Sequence, residues 1–418
     1  MPKQDKNIRR AAVSILRAWS KGHVYAETLI DKHARKNKLS PADRGLLNAI
    51  ILAVLRNRRL LDFCIARLRR GKLDHETRDI LRVGLAQILL LGIPEHAAVN
   101  ETVNCGRAPV RGLINAVLRQ AIEKRKILMS KVAELPPAEQ FSHPDWLAKR
   151  WRGQFGKVKT TDLMHWNNYP ADTTLRLNSL RPDSATLATD PRLEAIPEVP
   201  GFYLLDGPIP LEWTEQGLVY ITDPATRHSV ELLAPQPGET VLDACAAPGG
   251  KAALIAAHMK NEGQILCTDS NELRLPRLDE NLRNLGVTIS ESKAFDWTQP
   301  PPEEWLKNFD AIILDVPCSN TGVLRRRVDA RWRLTPEQIE ELTEIQKTIL
   351  TNASKCLKAT GRLVYSTCSI ESDENQDLIY PFAKSHNLVV TETKQSLPHE
   401  DKQDGAFAAL LKFREGTH

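Results

Sequence analysis

The fold is decided by the run Val241-Leu242-Asp243-Ala244-Cys245-Ala246-Ala247-Pro248-Gly249-Gly250-Lys251, in a chain of 418 residues. Val241 and Leu242 belong to a predicted strand, and a predicted helix follows from Ala252 to Met259. The two glycines between them let the backbone approach a ligand closely, and the helix N-terminus offers free N–H donors. This order predicts a ligand site at the carboxyl edge of a parallel sheet.

The strand–helix alternation continues to the C-terminus. The further predicted elements are a strand from Gln264 to Thr268, a helix from Glu272 to Leu285, a strand from Ala311 to Leu314, a long helix opened by the capping box Thr335-Pro336-Glu337-Gln338, and a strand from Gly361 to Tyr365. Alternation of this kind predicts an open, mostly parallel sheet with helices on both faces. Residues 237–418 are therefore predicted to form a Rossmann-like α/β domain.

The acidic residue at the end of the second predicted strand limits which cofactors the site could bind. Asp269 lies where a carboxylate can accept both hydroxyls of a ribose, and it would repel a ribose phosphate. The loop is neither G-x-G-x-x-G nor a P-loop, which argues against a nicotinamide cofactor or a nucleoside triphosphate. S-adenosylmethionine fits this pattern better than NADP.

The N-terminal part differs in character. Residues 1–130 carry apolar residues at helical spacing from Ile8 to Trp19, Ala42 to Arg56, Leu60 to Leu68, Thr77 to Leu91 and Gly112 to Met129, which predicts an all-α bundle. Residues 131–236 begin with a proline-bearing linker and continue as short extended runs between Pro and Gly, which predicts a small α+β subdomain.

Charge is distributed unevenly along the chain. Residues 1–130 hold 26 Lys and Arg against 11 Asp and Glu, although the whole chain has a net charge of only +5. This excess marks the helical part as a candidate polyanion-binding domain, the alternative being a solvated basic surface.

Hydrophobicity and cysteine content limit where the protein could function and which sites it could contain. No apolar run approaches the roughly 20 residues that span a bilayer, and the N-terminus lacks a signal-peptide core. The seven cysteines are scattered without a Cys-x-x-Cys pair, so we expect no metal site and no disulfide framework. A reducing cytoplasm is therefore expected, and nothing in the sequence requires more than a monomer.

Two cysteines each follow a predicted strand, downstream of the glycine-rich loop. Cys318 lies in Asp315-Val316-Pro317-Cys318-Ser319, and Cys368 lies in Ser366-Thr367-Cys368-Ser369. Either could be an ordinary buried thiol, but the pair beside a cofactor loop indicates thiol chemistry on an electrophilic carbon. Spacing alone leaves open which sulfur attacks.

These three motifs together resemble the signature motifs of the NOL1/NOP2/Sun family of RNA 5-methylcytosine methyltransferases. The stretches Ile93 to Val103 and Gly112 to Arg119 resemble the NusB-like RNA-binding domain fused to a bacterial branch of the family that acts on 16S ribosomal RNA. The resemblance implies a multidomain chain with an all-α NusB-like N-terminal bundle, a small α+β linker domain and a Rossmann-like methyltransferase domain. The substrate implied is 16S rRNA or a small-subunit assembly intermediate.

The resemblance also implies how residues divide the work. Cys368 is the expected nucleophile, Cys318 is expected to serve product release, and Asp315 is expected at both base and cofactor. The expected S-adenosylmethionine site consists of Cys245, Ala246, Ala247, Pro248, Gly249, Gly250, Lys251, Asp269, Asp296 and Asp315.

The chemistry of cytosine explains why a thiol is needed. C5 is a poor nucleophile until a thiolate adds to C6 and breaks the aromaticity of the ring, after which C5 can accept a methyl group. Asp315 is suited to hydrogen-bond N3 and stabilise the charge that develops. A base must then remove the C5 proton to release the enzyme.

A basic segment follows the second motif and surrounds Trp332. Its arginines are expected to contact RNA phosphates, or else to form a solvated basic loop: Arg325, Arg326, Arg327, Arg331 and Arg333. Three rival functions remain: methylation of another RNA such as tRNA, a non-catalytic RNA-binding factor, and a DNA cytosine methyltransferase. The last would use the Pro-Cys cysteine and would not need Thr367-Cys368-Ser369.

Overall fold

The computed structural model describes residues 7–22 and 24–414. The chain divides into two compact units, of which the first comprises Met1–Tyr169 with Arg327–Arg333, and the second Pro170–Arg326 with Leu334–His418. The domain boundaries expected near residues 130 and 236 stay predictions. Among the described residues, no helix has the length and apolar character needed to cross a membrane.

The first unit is built from helices. They are α1 (Ile8–Lys21), α2 (Ala26–Asn37), α3 (Pro41–Arg56), α4 (Arg58–Leu68), α5 (His75–Leu89), α6 (Glu95–Val103), α7 (Ala108–Glu123), α8 (Arg125–Ala133), α9 (Pro137–Gln140) and α10 (Asp145–Trp166). Apolar faces of α1 to α8 form one buried cluster. The start of α3 is fixed as the sequence predicts, because the Ser40 hydroxyl accepts a hydrogen bond from the Asp43 amide (3.1 Å) and Pro41 occupies the first turn.

Two features of this unit differ from the sequence-based expectation. Helix α2 was not predicted, because it buries only Ala26, Ile30 and Ala34 and its apolar periodicity is weak. The single helix expected from Gly112 to Met129 is two helices, α7 and α8, since Lys124 has non-helical dihedral angles (φ −97°, ψ 12°).

The second unit contains a small antiparallel sheet of four strands in the order β2-β3-β1-β4. The strands are β1 (Thr174–Leu177), β2 (Leu193–Ala195), β3 (Phe202–Leu205) and β4 (Val219–Ile221), and the short helix α11 (Leu211–Glu215) precedes β4. Leu175, Leu205, Trp213 and Val219 form its own buried cluster. This is the small α+β element that the sequence predicts.

The second unit also contains a seven-stranded sheet in the order β10-β11-β9-β8-β5-β6-β7. Its strands are β5 (Thr240–Asp243), β6 (Gln264–Asp269), β7 (Ser290–Ala294), β8 (Phe309–Asp315), β9 (Leu357–Thr367), β10 (Leu388–Ser396) and β11 (Ala406–Phe413). Strands β5 to β9 pair in parallel, whereas β11 pairs antiparallel with both β9 and β10. The predicted Rossmann-like fold is confirmed, and β7, β10 and β11 are additions that the sequence analysis missed.

Helices accompany this sheet. They are α12 (Arg227–Leu233), α13 (Gly250–His258), α14 (Leu275–Asn284), α16 (Pro336–Ser354), α17 (Gln376–Ser385) and α18 (Pro398–Asp401), whereas α15 (Ala330–Arg333) belongs to the helical unit. Helix α16 begins with the predicted capping box between Thr335 and Gln338.

The segment Arg327–Arg333 packs inside the helical unit. The Asp329 carboxylate accepts hydrogen bonds from Trp19 Nε1 (3.0 Å) and from the Ala26 amide at the start of α2 (2.8 Å). Trp332 Nε1 donates to the carbonyl of Leu55 (2.7 Å), and Val328 joins the buried cluster of the helices. A seven-residue piece of the chain that follows the Cys318 motif is therefore part of the helical unit.

Candidate active site

The glycine-rich loop connects β5 to α13 and requires its two glycines. Gly249 has φ +105°, a conformation that L residues rarely adopt, and a Cβ there would lie 2.9 Å from Leu278 Cδ1. A Cβ on Gly250 would lie 2.5 Å from the ring of Tyr220. The loop therefore passes too close to its neighbours for larger residues at these positions.

A cavity of about 230 Å³ lies against this loop. Of the predicted cofactor residues, those that line it are Cys245, Ala246, Ala247, Pro248, Gly250, Lys251 and Asp315. Burial raises the pKa of the Cys245 thiol, and the charges of Asp315 and Asp243 raise it further. Cys245 is thus poorly suited to act as a third nucleophile.

Three predicted cofactor residues, Gly249, Asp269 and Asp296, are not among those that line this cavity in the described structure. The Asp269 carboxylate is buried at the end of β6, where it pairs with Arg274 (2.9 Å) and accepts a hydrogen bond from the Asn271 amide. Asp296 is exposed, and its carboxylate accepts hydrogen bonds from the amide (2.9 Å) and hydroxyl (2.8 Å) of Thr298. Their roles at the cofactor stay predictions.

Two charged residues of the cavity were not assigned from the sequence. Both Asp243 carboxylate oxygens are buried without a hydrogen-bond partner, and burial raises the pKa of Asp243 to about 7, with Lys251 opposing and Asp315 adding to the shift. Arg176 on β1 is buried beside the same cavity, and burial lowers its pKa to about 10. An arginine between Leu175 and Leu177 on a strand was the available signal, because charged residues are seldom fully buried without a purpose.

Lys251 and Asp315 form an ion pair at the edge of the cavity. Their Nζ and Oδ2 atoms lie 2.5 Å apart, and the hydroxyl of Ser366 donates to the other carboxylate oxygen (3.1 Å). Burial alone would lower the pKa of Lys251, but Asp315, Asp243 and Cys368 outweigh it and raise the pKa. Lys251 is therefore a stable cation that lines the cofactor cavity and pairs with Asp315.

The two predicted cysteines lie in contact. Asp315 pairs with Ser366 in the parallel register of β8 and β9, so the loops after both strands leave the same edge of the sheet. The Cys318 and Cys368 sulfur atoms are 3.1 Å apart. Cys368 Sγ also donates to Asn320 Oδ1 (3.3 Å), and Asn320 Nδ2 donates to the Cys318 carbonyl (2.7 Å). Asn320 was not predicted, since nothing in its sequence context marks it.

The predicted basic loop is largely folded into the protein. Arg325 donates to the Pro170 carbonyl and pairs with Asp172 (3.2 Å). Arg326 pairs with Asp223 (2.9 Å) and Asp404 (2.8 Å). These guanidinium groups hold the chain after the Cys318 motif against other parts of the second unit.

The remaining predicted RNA contacts belong to the helical unit. The prediction for Arg331 conflicts with its environment: the side chain is 0% exposed and donates to the Asn167 carbonyl (2.9 Å) and to Asn168 Oδ1 (2.9 Å). It has no surface to offer a phosphate. Arg333 donates to the carbonyls of Gly22, Trp19 and Val24. Arg327 is exposed, with its guanidinium 5.9 Å from the Tyr25 ring centroid.

Family models match the chain in three parts. Residues 6–123 match the NusB family, residues 143–193 match the ferredoxin-like domain of RsmF/B-like methyltransferases, and residues 230–412 match the family described as 16S rRNA methyltransferase RsmB/F. The predicted NusB-like, α+β and methyltransferase parts are thereby confirmed in kind and order.

Full-length relatives agree with these matches. The chain is 33% identical to a probable ribosomal RNA small subunit methyltransferase B of Synechocystis, with 97% of this chain and 99% of the relative covered. It is 34% identical to the ribosomal RNA small subunit methyltransferase B of Klebsiella pneumoniae, covering 99% and 100%. The solved structure of PH0851 shares the fold with a TM-score of 0.77 at 23% identity, covering 97% of this chain and 98% of that one. The chain belongs to the ribosomal RNA small subunit methyltransferase B family.

Proposed function

We propose that this protein transfers a methyl group to C5 of a cytosine in 16S ribosomal RNA through a covalent cysteine–C6 adduct. One observation carries the proposal: two cysteine sulfurs, 3.1 Å apart, stand at the ends of adjacent parallel strands, and Asp315 at the end of one strand lines the cofactor cavity. The names of the relatives support ribosomal RNA as the substrate class.

The cofactor is S-adenosylmethionine, as membership of this methyltransferase family implies, and the prediction of that cofactor is confirmed. The residues of the cavity fit it. Its amino acid end carries a carboxylate and an ammonium group, and the cavity offers the buried cation Arg176 and the buried Asp243 carboxylate without a hydrogen-bond partner. When bound, this cofactor supplies an electrophilic methyl group on a sulfonium.

Cys368 is proposed to attack as the thiolate, forming the bond from sulfur to C6 of the cytosine. The ammonium of Lys251 is proposed to stabilise negative charge on this sulfur, since the charge of Cys368 is among the causes that raise the pKa of Lys251. As the sulfur adds to C6, N3 of the ring takes up a proton from solvent, and Asp315, held by Lys251 and Ser366, is proposed to accept a hydrogen bond from that N3–H group. Electron density moved to C5 in this way makes C5 the nucleophile of the methyl transfer.

Release requires the reverse of the addition. The proton on C5 leaves to a base, the C5–C6 double bond re-forms, and the electrons of the C6–S bond return to Cys368. We assign Cys318 to this step, since its sulfur touches the sulfur that must leave. The target cytosine must be unpaired or flipped to reach these groups.

The basic helical unit is proposed to hold the RNA. Residues 1–130 carry 26 Lys and Arg against 11 Asp and Glu, which favours phosphate binding. Arg326 and Arg327 are both exposed, but Arg326 is paired with Asp223 and Asp404, so Arg327 is the better candidate for a phosphate contact. We place the activity in the cytoplasm, where the free thiols of Cys318 and Cys368 would stay reduced.

The test is methyl transfer from labelled S-adenosylmethionine to three substrates: naked 16S rRNA, small-subunit particles and tRNA. We expect label in 5-methylcytosine of 16S rRNA, no transfer by Cys368→Ala, and normal transfer by Cys105→Ala, which removes a thiol in the helical unit. Transfer to tRNA alone would show that the substrate is tRNA and not 16S rRNA. No transfer to any RNA by the wild-type protein would favour a non-catalytic RNA-binding factor.

A further inference from the structure

One buried carboxylate is hydrogen-bonded to the loop that carries Cys318 and to the loop that carries Cys368. Glu374 closes the turn Ser372–Glu374 after the Cys368 motif and is 0% exposed. Its Oε1 accepts hydrogen bonds from the Ser319 amide (2.8 Å) and from Gln346 Nε2 (3.0 Å). Its Oε2 accepts hydrogen bonds from the hydroxyls of Ser319 and Ser369. All four positions around the carboxylate are thus filled by hydrogen-bond donors.

The bonded serines are the residues that directly follow the two cysteines. Ser319 follows Cys318, Ser369 follows Cys368, and the two serine hydroxyl oxygens are themselves 3.0 Å apart. Glu374 therefore holds the backbone and side chain of Ser319 and the side chain of Ser369, although the two loops are far apart in sequence. Gln346 reinforces the arrangement, because the same Nε2 also donates to the Pro317 carbonyl (2.9 Å).

Opposite charges flank the pair of sulfurs. Within residues 7–22 and 24–414, no salt bridge joins Glu374 to a lysine, arginine or histidine, and the two side-chain donors from serine and the one from Gln346 are neutral. Lys251, which lines the cofactor cavity, is a cation whose pKa the charge of Cys368 helps to raise. Glu374 accepts two hydrogen bonds from Ser319, next to Cys318, and one from Ser369, next to Cys368, so more of its contacts are with the Cys318 loop.

We propose that Glu374 is a positioning residue that makes the two thiols unequal, holding both loops in place and keeping Cys318 protonated while Cys368 attacks. This inference rests on the proposed function, in which the two sulfurs have different roles. A difference of this kind would explain why Cys368 is the nucleophile, although the Cys318 sulfur is in contact with the Cys368 sulfur.

The electrostatics of Cys318 agree with this geometry. The hydrogen bond to Cys368 and burial raise the pKa of Cys318 well above its ordinary value, and the negative charges of Cys368 and Glu374 raise it further. Tyr365 is a further titratable group near Cys318, and its hydroxyl donates to the backbone carbonyl of Glu374 (2.7 Å). Burial raises the pKa of Tyr365, and the charges of Glu374 and Cys318 raise it further. Once Cys368 is bonded to the cytosine, its sulfur no longer carries a negative charge, and its share of this effect on the pKa of Cys318 disappears.

Thiol alkylation of the full chain tests the inference without RNA or cofactor. Wild type, Glu374→Gln and Glu374→Asp are treated with iodoacetamide from pH 6 to 9, and peptide mass spectrometry gives the rate at each cysteine. Glu344→Gln is the matched control, since it removes one carboxylate from an exposed pair with Lys347 on α16, the helix that carries Gln346. Methyl transfer is measured on the same proteins.

We expect Glu374→Gln to raise the alkylation rate of Cys318 at pH 8 about tenfold, because a negative charge that opposes loss of its proton is removed, while the rate at Cys368 changes less than about twofold. Glu374→Asp, which keeps the charge but shortens the reach, should leave Cys318 slow and lower kcat with KM unchanged. An unaltered Cys318 rate in Glu374→Gln, or an equal rise at both cysteines, would overturn the inference. If Glu374→Gln fails to fold, a wild-type kcat for Glu374→Asp would overturn it. Absence of methyl transfer by wild type would instead count against the proposed function alone.

Discussion

The unpaired carboxylate of Asp243 couples cofactor binding to pH. Burial raises the pKa of this group to about 7, and both of its oxygens lie without a hydrogen-bond partner beside the cofactor cavity. A bound cofactor places positive charge nearby and favours the ionised carboxylate. Binding therefore releases a proton at pH values below the pKa, and affinity must increase as the pH rises.

The expected magnitude follows from the pKa. At pH 6 about a tenth of the ligand-free protein carries an ionised Asp243, and at pH 8 about nine-tenths does, so the Kd for S-adenosylmethionine should be about tenfold weaker at pH 6. Asp243→Asn keeps the shape but cannot ionise. The variant should bind more weakly at pH 8 and should lose this part of the pH dependence.

Isothermal titration calorimetry at pH 6, 7 and 8 provides the measurement. Two buffers with different ionisation enthalpies at each pH count the protons released on binding. Because both proteins bind the same cofactor, any titration of the cofactor itself cancels in the difference between wild type and variant. The same pH dependence in both proteins would refute the assignment of Asp243.

Two further predictions concern Lys251 and Asp329. Lys251→Met removes the cation that pairs with Asp315 and should lower kcat by about 100-fold, the range for loss of one electrostatic contact in an active site. Lys260→Met, at an exposed site just after α13, is the control and should leave kcat unchanged. Equal activity of the two variants would contradict the role of Lys251. Asp329→Ala leaves the N–H groups of Trp19 and Ala26 without a hydrogen-bond partner and should lower the free energy of urea unfolding by about 2–4 kcal/mol. Asp31→Ala, which breaks an exposed pair with Arg44, is the control and should lower it by less than about 1 kcal/mol. Similar losses in the two variants would count against burial of the segment Arg327–Arg333.

Local patterns in the sequence predict much of the fold. Apolar spacing and the Ser40-Pro41 start locate α3, and the capping box at Thr335 locates α16, because these signals lie within one helical turn. Helix α2 and the strand pair β10–β11 were missed because their burial is sparse or one-sided. Their structure is set by contacts with distant segments, which periodicity does not record.

The same distinction applies to the site. The glycine-rich loop and both cysteines stand in contiguous motifs, and the sequence predicts them. Arg176 and Glu374 reach the site only through tertiary folding; the leucines on either side of Arg176 are its one local signal, and Glu374 has none. For Arg331 the sequence shows a charged residue in a basic run, whereas the fold buries it among backbone carbonyls, so composition alone pointed to the wrong partner.

The central claim is that Cys368 attacks the base and Cys318 releases it. Cys318→Ala and Cys368→Ala are each incubated with 16S rRNA and S-adenosylmethionine and then separated on a denaturing gel. A stable protein–RNA adduct is expected for Cys318→Ala, because addition and methyl transfer proceed while release is blocked, and none is expected for Cys368→Ala. An adduct with Cys368→Ala and none with Cys318→Ala would contradict the account.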